Sequence, residues 1–143
     1  MEEIEIFTDG ACRGNPGLGG WGALIRKNGE ESSLWGGARD TTNNRMEMEA
    51  AIRGLESIIE RSNITITTDS NYLKDGVTQW LEGWKKKGWK TASKKPVKNK
   101  DLWVRLDKLS QYHNINWKWV KGHSGHRENE IADLLANKGI DEL

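Results

Sequence analysis

The sequence contains few of the residues that stabilise secreted proteins or build membrane spans. Cys12 is the only cysteine among 143 residues, which excludes an intrachain disulfide and a cysteine-based zinc site. The longest apolar runs are a handful of residues, too short to cross a membrane. The N-terminal segment MEEIEIF has neither the basic start nor the apolar core of a secretory signal. We therefore expect a cytoplasmic protein with no membrane contact.

Net charge is also nearly absent, at +1, but this balance hides an uneven distribution. Residues 84–100, WKKKGWKTASKKPVKNK, contain eight lysines and no acidic residue. Outside this segment 14 basic residues stand against 21 acidic ones, which gives a net charge of −7. A basic segment on an acidic chain predicts local contact with a polyanion.

The hydrophobic periodicity predicts one α/β domain over residues 1–143, with the element order βββαβα(α)αβα. Helical spacing begins at Asn43 and recurs after Asp69, over 101–112 and over 127–138. An Asn-Gly pair within residues 27–31 predicts a hairpin between the second and third strands. The strands are expected at 3–9, 21–27, 32–38, 63–68 and 115–120. This order predicts a mixed sheet with helices on its faces.

A glycine-rich segment follows the first strand, and residues 17–22, GLGGWG, match the dinucleotide-binding pattern G-x-G-x-x-G. That fingerprint must follow a strand and open a helix. Here it leads into the alternating strand pattern of residues 21–27, so we reject a nucleotide cofactor. We expect these glycines to form a tight turn with close backbone approach.

Four acidic residues lie where a folded core would not require them. Asp9 and Asp69 end predicted strands, while Glu47 and Asp133 lie beside apolar positions of predicted helices. Taken singly, each residue also has an ordinary structural interpretation: Asp69 could be the N-cap of a helix, and Asp133 could be a solvated position on a helix. Taken together, oxygen ligands favour a hard cation such as Mg²⁺ or Mn²⁺. Two such ions serve in-line displacement at phosphorus.

One histidine lies in the glycine-flanked segment VKGHSGHRENE. His123 can move protons at neutral pH because imidazole titrates near that range. The alternative is an ordinary exposed loop residue, and the neighbouring His126 is not distinguished from His123 by spacing alone.

Five segments in this order resemble bacterial-type ribonuclease H, of the type 1 family, which cuts the RNA strand of RNA/DNA hybrids. They are IFTDGACRGNPGLGGWG, TTNNRMEMEAAI, TTDSNY, GWKKKGWKTASKKPVKNKDLW and WKWVKGHSGHRENEIAD. The resemblance implies a ribonuclease H-like fold with strands 1–3 antiparallel, strands 4 and 5 parallel to strand 1, and helices on both faces.

The resemblance also implies the chemistry. It identifies the chain as a metal-dependent endonuclease in which water attacks phosphorus in line, leaving 5′-phosphate and 3′-hydroxyl ends. The implied catalytic metal ligands are Asp9, Glu47, Asp69 and Asp133, holding two Mg²⁺ ions, with Mn²⁺ as a substitute. His123 is the implied loop histidine for proton transfer or product release.

The implied partner is an RNA/DNA hybrid duplex. Five residues match positions that meet its minor groove: Cys12, Asn15, Asn43, Asn44 and Asn71. Thr42 and Asn99 match a pocket for a DNA-strand phosphate, although Asp40 stands where related enzymes often have a basic residue. A basic protrusion over about 80–100 tracks the phosphate backbone through Trp84, Lys85, Lys86, Lys87 and Trp89. Packing is an alternative for the tryptophans, above all for Trp80.

Two other functions use the same fold. The first is a non-catalytic module that binds hybrids or double-stranded RNA, and the second is a DNA-directed relative such as a transposase or resolvase core. We expect a monomer that needs no small-molecule cofactor.

Overall fold

The structure is a computed structural model that describes residues 2–121 and 126–143 of the chain. Five strands form one sheet in the order β3-β2-β1-β4-β5. The strands are β1 (Glu3–Arg13), β2 (Gly17–Lys27), β3 (Glu30–Thr41), β4 (Asn63–Thr68) and β5 (Asn114–Trp119). The α-helices are α1 (Asn43–Glu56), α2 (Asn71–Asp75), α3 (Leu81–Lys86), α4 (Lys100–Tyr112) and α5 (Arg127–Asp141).

The strand pairing confirms the mixed sheet. β1, β2 and β3 form an antiparallel meander, while β4 pairs parallel to β1 and β5 parallel to β4. Asn28 and Gly29 connect β2 to β3, and both have positive φ angles, 54° and 80°. Positive φ at both central residues is the requirement of a type I′ turn, so the predicted Asn-Gly hairpin is confirmed.

Helices pack on both faces of the sheet, as predicted. Met48, Ile52 and Leu55 of α1 are buried against Ile4 and Ile6 of β1 on one face. α5 covers the other face and contacts β1, β2 and β3. No helix in the described part of the chain combines the length and hydrophobicity that a membrane crossing requires.

The glycine-rich segment differs from the prediction. The turn occupies residues 14–16, with a cis Asn15–Pro16 peptide bond, and residues 17–22 form the first half of β2. A Cβ on Gly20 would collide with the carbonyl oxygen of Ala136 in α5, and one on Gly22 would collide with that of Ala132. The prediction of a turn at residues 17–22 was therefore wrong. The close backbone approach is real, but it serves the packing of α5.

The helix expected after Asp69 is also interrupted. α2 and α3 are separated by a π-helical segment, Gly76–Trp80. A Cβ on Gly76 would overlap the indole ring of Trp103 in α4. Glycine at this position lets Trp103, which is fully buried, pack directly on the helix backbone.

Candidate active site

Two of the four predicted carboxylates lie at one edge of the parallel part of the sheet. The β1–β4 ladder ends with the pair Phe7 and Thr67, and Asp9 and Asp69 each lie two residues beyond it. β1 itself continues to Arg13 by pairing with β2. Asp9 thus lies inside its strand and not at the end, but it follows the last residue paired to β4. The parallel pairing brings both carboxylates to the same edge.

The third carboxylate comes from α1, which lies unusually close to β1. A Cβ on Gly10 would collide with the backbone of Glu47 and would lie 2.6 Å from the carbonyl carbon of Met46. Only glycine permits this approach, since any side chain would separate strand and helix. Glu47 is 6% exposed, so the helix places a buried carboxylate beside Asp9.

The carboxylate cluster consists of Asp9, Glu47 and Asp69, each with one ligand oxygen within 4.8 Å of the other two. Asp133 of α5 lines the same cleft, which has a volume of about 430 Å³. Four acidic residues, from β1, α1, α5 and the segment after β4, therefore meet around one space, and their charges strongly affect their ionisation.

The pKa of Asp9 is raised to about 8, first by burial, then by the charge of Asp69 and by a hydrogen bond with Asp133. Burial, followed by the charges of Asp9 and Asp69, raises the pKa of Glu47 well above its ordinary value. Without a cation the cluster therefore retains protons at neutral pH.

The cluster fits a divalent metal ion. All donors are carboxylate oxygens, the ligands that Mg²⁺ and Mn²⁺ prefer. Among the residues that the structure describes, Oε2 of Glu47 is buried and has no hydrogen-bond partner. A buried, unsatisfied oxygen is costly, and a bound cation would satisfy it while also relieving the repulsion among the carboxylates.

A family model for RNase H matches residues 1–141. The chain belongs to the ribonuclease H family. Ribonuclease H from Hydrogenovibrio crunogenus (strain DSM 25203 / XCL-2) is 62% identical over 143 residues, which cover 100% of this chain and 99% of that protein. This membership confirms the prediction of a nuclease, and the carboxylate cluster is compatible with the catalytic site of this metal-dependent family.

Two solved structures have the same fold. LC9-RNase H1, described as a type 1 RNase H with the type 2 active-site motif, matches with a TM-score of 0.86 and 32% identity. The match covers 99% of this chain and 73% of that one. LC11-RNase H1, solved in complex with an RNA/DNA hybrid, matches with a TM-score of 0.72 and 25% identity over 97% of both chains. The ribonuclease H fold predicted from the sequence is confirmed.

Three of the amides expected to contact the ribonuclease H substrate line the carboxylate cleft: Asn43, Asn44 and Asn71. Asn15 lies in the turn between β1 and β2, and its Oδ1 accepts a hydrogen bond from the backbone N–H of Asn43 at 3.1 Å. Cys12 is partly buried on β1, and its Sγ donates to the carbonyl oxygen of Gly14 at 2.7 Å. The hydrogen bond between Asn15 and Asn43 thus joins the turn after β1 to the asparagines that line the cleft.

The two residues predicted to bind a DNA phosphate are held by a residue that sequence reasoning missed. Oγ1 of Thr42 caps α1 by accepting from the Arg45 backbone N–H. The Arg45 guanidinium donates to Oδ1 of Asn99 at 3.1 Å and forms an ion pair with Asp101. Asn99 has φ 59° and donates to the hydroxyl of Tyr72, which also lines the cleft. Arg45 and Tyr72 join elements far apart in sequence, and no local pattern reveals such contacts.

The basic protrusion is more structured than its composition suggests. Trp84 and Trp89 pack against the core, whereas Trp80 is 36% exposed and contacts the rings of Tyr72 and Trp84. Lys85 forms an ion pair with Asp107 at 3.2 Å, while Lys86 and Lys87 are exposed. Packing thus accounts for part of the predicted binding surface. His123 lies outside the described residues.

Proposed function

We propose that this ribonuclease H family member is an endonuclease that hydrolyses the RNA strand of RNA/DNA hybrids. The observation that carries the proposal is the approach of Asp9, Glu47 and Asp69 to within 4.8 Å of one another, with Asp133 lining the same cleft. The hybrid-bound structure of LC11-RNase H1 supports the choice of substrate.

We propose Mg²⁺ as the metal, two ions in the substrate complex, with Mn²⁺ as a substitute. When bound, the ions lower the pKa of the attacking water and stabilise the charge on the leaving oxygen. The ions would be held by the four carboxylates, Asp9, Glu47, Asp69 and Asp133. The buried Oε2 of Glu47 is available as a ligand atom, because it accepts no hydrogen bond from any described protein group.

The proposed reaction is a direct displacement. The water oxygen bonds to phosphorus and the bond from phosphorus to O3′ breaks, so the products carry a 5′-phosphate and a 3′-hydroxyl. We assign His123 to proton transfer or product release. That role rests on the sequence motif alone.

Selectivity for RNA arises in this proposal from polar groups beside the cleft. Asn43, Asn44 and Asn71 line it, and Asn15 is held against Asn43. The 2′-hydroxyls displayed in the minor groove both donate and accept hydrogen bonds, as side-chain amides do. We propose that these amides and the backbone at Cys12 contact the minor groove.

The remaining contacts would be to phosphates. Thr42 and Asn99, joined through Arg45, would bind a phosphate of the DNA strand. The exposed Lys86 and Lys87, with Lys85, Trp84 and Trp89 beside them, would supply affinity that does not depend on sequence.

We propose a monomer, because a single chain supplies all four carboxylates of the cleft. The family model over residues 1–141 supports one ribonuclease H domain. A cytoplasmic location and independence from a small-molecule cofactor stay predictions of the sequence.

The test is incubation of the protein with RNA/DNA, RNA/RNA and DNA/DNA duplexes of one sequence, in Mg²⁺ and in EDTA. We expect cleavage of the RNA strand of the hybrid in Mg²⁺ alone. Cleavage of the DNA duplex at a similar rate would overturn the proposed substrate, and binding without cleavage would support a non-catalytic module. An Asp9→Asn variant controls for contaminating nuclease.

A further inference from the structure

A second cleft adjoins the carboxylate cleft and is not used by the function described so far. It has a volume of about 330 Å³ and shares Asp69, Ser70 and Asn71 with the carboxylate cleft. Its other walls are Lys74 of α2 and the segment Trp119–Lys121 at the end of β5. We call it the lysine cleft, because Lys74 and Lys121 are the cationic residues of its described lining.

The sheet brings these residues together. β4 and β5 are parallel, with Thr68 opposite Trp119, and the backbone N–H of Val120 donates to the carbonyl oxygen of Thr68 at 3.0 Å. Both strands therefore end at the same edge, where Asp69 is the first residue after β4 and Lys121 the second residue after β5. Lys74 lies three residues after Asn71 on α2, the spacing that places two side chains on one helix face.

The cleft has one rigid wall. The Trp119 ring stacks on that of Trp117, with 5.2 Å between ring centroids and planes 4° apart. Both rings pack against the core. Neither lysine forms an ion pair within the described residues, whereas Lys85 is paired with Asp107. Both lysines are exposed, and Asp69 is the one acidic residue of the described lining. Two ammonium groups against one carboxylate, beside a fixed aromatic wall, favour an anion.

We propose that the lysine cleft binds a phosphate of the RNA strand next to the one that is cleaved. The inference rests on the proposed function, which puts the scissile phosphate at the metal ligands. Asp69 belongs to both clefts, so the strand that reaches the carboxylates continues past Lys74 and Lys121. Neighbouring phosphates of one strand are about 3.4 Å apart along the duplex axis, whereas the other strand lies across a groove.

The test compares Lys74→Gln, Lys121→Gln and the double variant with the parent protein. Lys118→Gln is the matched control: it removes the same charge from the same region, but Lys118 is exposed on the opposite side of β5 from Trp117 and Trp119. For the double variant we expect KM to rise roughly tenfold and kcat to stay within about twofold, because a phosphate contact contributes binding in ground state and transition state alike. The dependence of log KM on log salt should flatten by about 1, because the contact to one phosphate is lost.

Hybrids that permit a single cut, with a neutral methylphosphonate at one phosphate beside the cleavage site, locate the contact. At one of the two flanking positions the methylphosphonate should slow cleavage by the parent protein. It should not slow cleavage by the double variant, because the lysines that contact this phosphate are already replaced. Equal losses in parent and double variant at both flanking positions, or a KM change no larger than that of Lys118→Gln, would overturn the inference.

Failure of the proposed function is a separate outcome. A parent protein that leaves the unmodified hybrid intact in Mg²⁺ would contradict the proposed function alone. The Kd for the same hybrid in EDTA, compared between parent and double variant, would still decide on the lysine cleft. Thermal unfolding of each variant controls for misfolding.

Discussion

Gly10 shows how strongly the carboxylate cluster depends on single residues. At this position of β1 the backbone of α1 comes so close that a Cβ would meet Glu47 and Met46. A side chain there would push α1 away and move the buried carboxylate of Glu47 relative to Asp9. The geometry of the metal site therefore depends on residue 10 having no Cβ atom.

We predict that Gly10→Ala weakens metal binding and catalysis together. The added methyl group cannot be accommodated without a backbone shift, which costs about 1–3 kcal/mol of unfolding free energy. Gly83→Ala is the control, because a Cβ on Gly83 of α3 meets no atom within 4 Å. Alanine there should be neutral or stabilise the helix by up to about 1 kcal/mol. Urea unfolding and Mg²⁺ titration distinguish the two variants, and equal metal affinity in both would contradict the prediction.

Asp9 leads to a prediction about pH. Its folded-state pKa of about 8 lies above the ordinary value of 3.8, so the folded metal-free protein binds a proton more tightly than the unfolded chain does. The stability associated with this proton is fully present below pH 4 and is lost as the pH rises through 8. Asp9→Asn, which cannot ionise, should therefore stabilise the metal-free protein at pH 9, on the order of a few kcal/mol.

The measurement is the free energy of unfolding in EDTA at pH 5 and pH 9. The advantage of Asp9→Asn over the parent should grow from the lower to the higher pH. Asp40→Asn, at an exposed position of β3, controls for removal of an acidic group. An advantage that does not change with pH would show that burial and Asp69 do not perturb Asp9 as described. In Mg²⁺ the variant should be inactive.

At the scale of secondary-structure elements, the boundary between α4 and β5 contains a buried titratable group. His113 ends α4 and is 3% exposed, and its Nδ1 accepts a hydrogen bond from the backbone N–H of Ser62 at 3.2 Å. Burial lowers the pKa of His113 below 6.5. The neutral ring therefore joins α4 to the start of β4.

Protonation of His113 should destabilise this junction. Because its pKa is lower in the folded state, unfolding takes up a proton below pH 6.5, and stability present above that pH is lost as the pH falls. Between pH 7.5 and 5.5 the parent should lose up to about 1 kcal/mol more unfolding free energy than His113→Asn, which retains an acceptor but does not titrate. Other titrating groups are common to both proteins. Equal losses would contradict the prediction.

The elements also show what the sequence could predict. Alternating and helical spacing predicted every strand and the main helices. The two aspartates predicted to end strands marked the edge where the site lies, although β1 continues past Asp9 to Arg13. The prediction of a turn at residues 17–22 was wrong, because glycines also occur where another element packs closely on a strand. The sequence does not show that this element is α5. The contacts of Arg45 with Asn99 and of Tyr72 with Trp103 join separate elements, so no local pattern predicted them.

At the scale of the whole molecule, charge is separated between the basic protrusion and an acidic remainder. The structure divides the protrusion further, because Lys85 is paired with Asp107 while Lys86 and Lys87 are exposed. Ion-paired lysines contribute less to a polyanion contact than exposed ones, since the paired charge is already compensated.

We therefore predict that Lys86→Ala/Lys87→Ala raises KM for a hybrid and flattens its salt dependence by up to about 2 in log–log slope. Lys85→Ala alone should change the slope less, although it removes the same charge. The measurement is KM between 50 and 200 mM salt, on the order of the range over which such contacts weaken strongly. If Lys85→Ala flattened the salt dependence of KM more than the double variant does, the ion pair with Asp107 would not limit what Lys85 contributes to hybrid binding.

The central claim is that the carboxylate cluster directs water to the phosphorus of an RNA strand. Mapping the ends of the cleavage products from a labelled RNA/DNA hybrid, in Mg²⁺ and in EDTA, tests it most directly. We predict 5′-phosphate and 3′-hydroxyl ends in Mg²⁺ and no products in EDTA or with Asp9→Asn. Products with 2′,3′-cyclic phosphate ends would contradict the claim, because the attacking oxygen would then be the 2′-hydroxyl of the RNA. Cleavage that persists in EDTA would also contradict it, because the reaction would then not need the metal ions that the carboxylates hold.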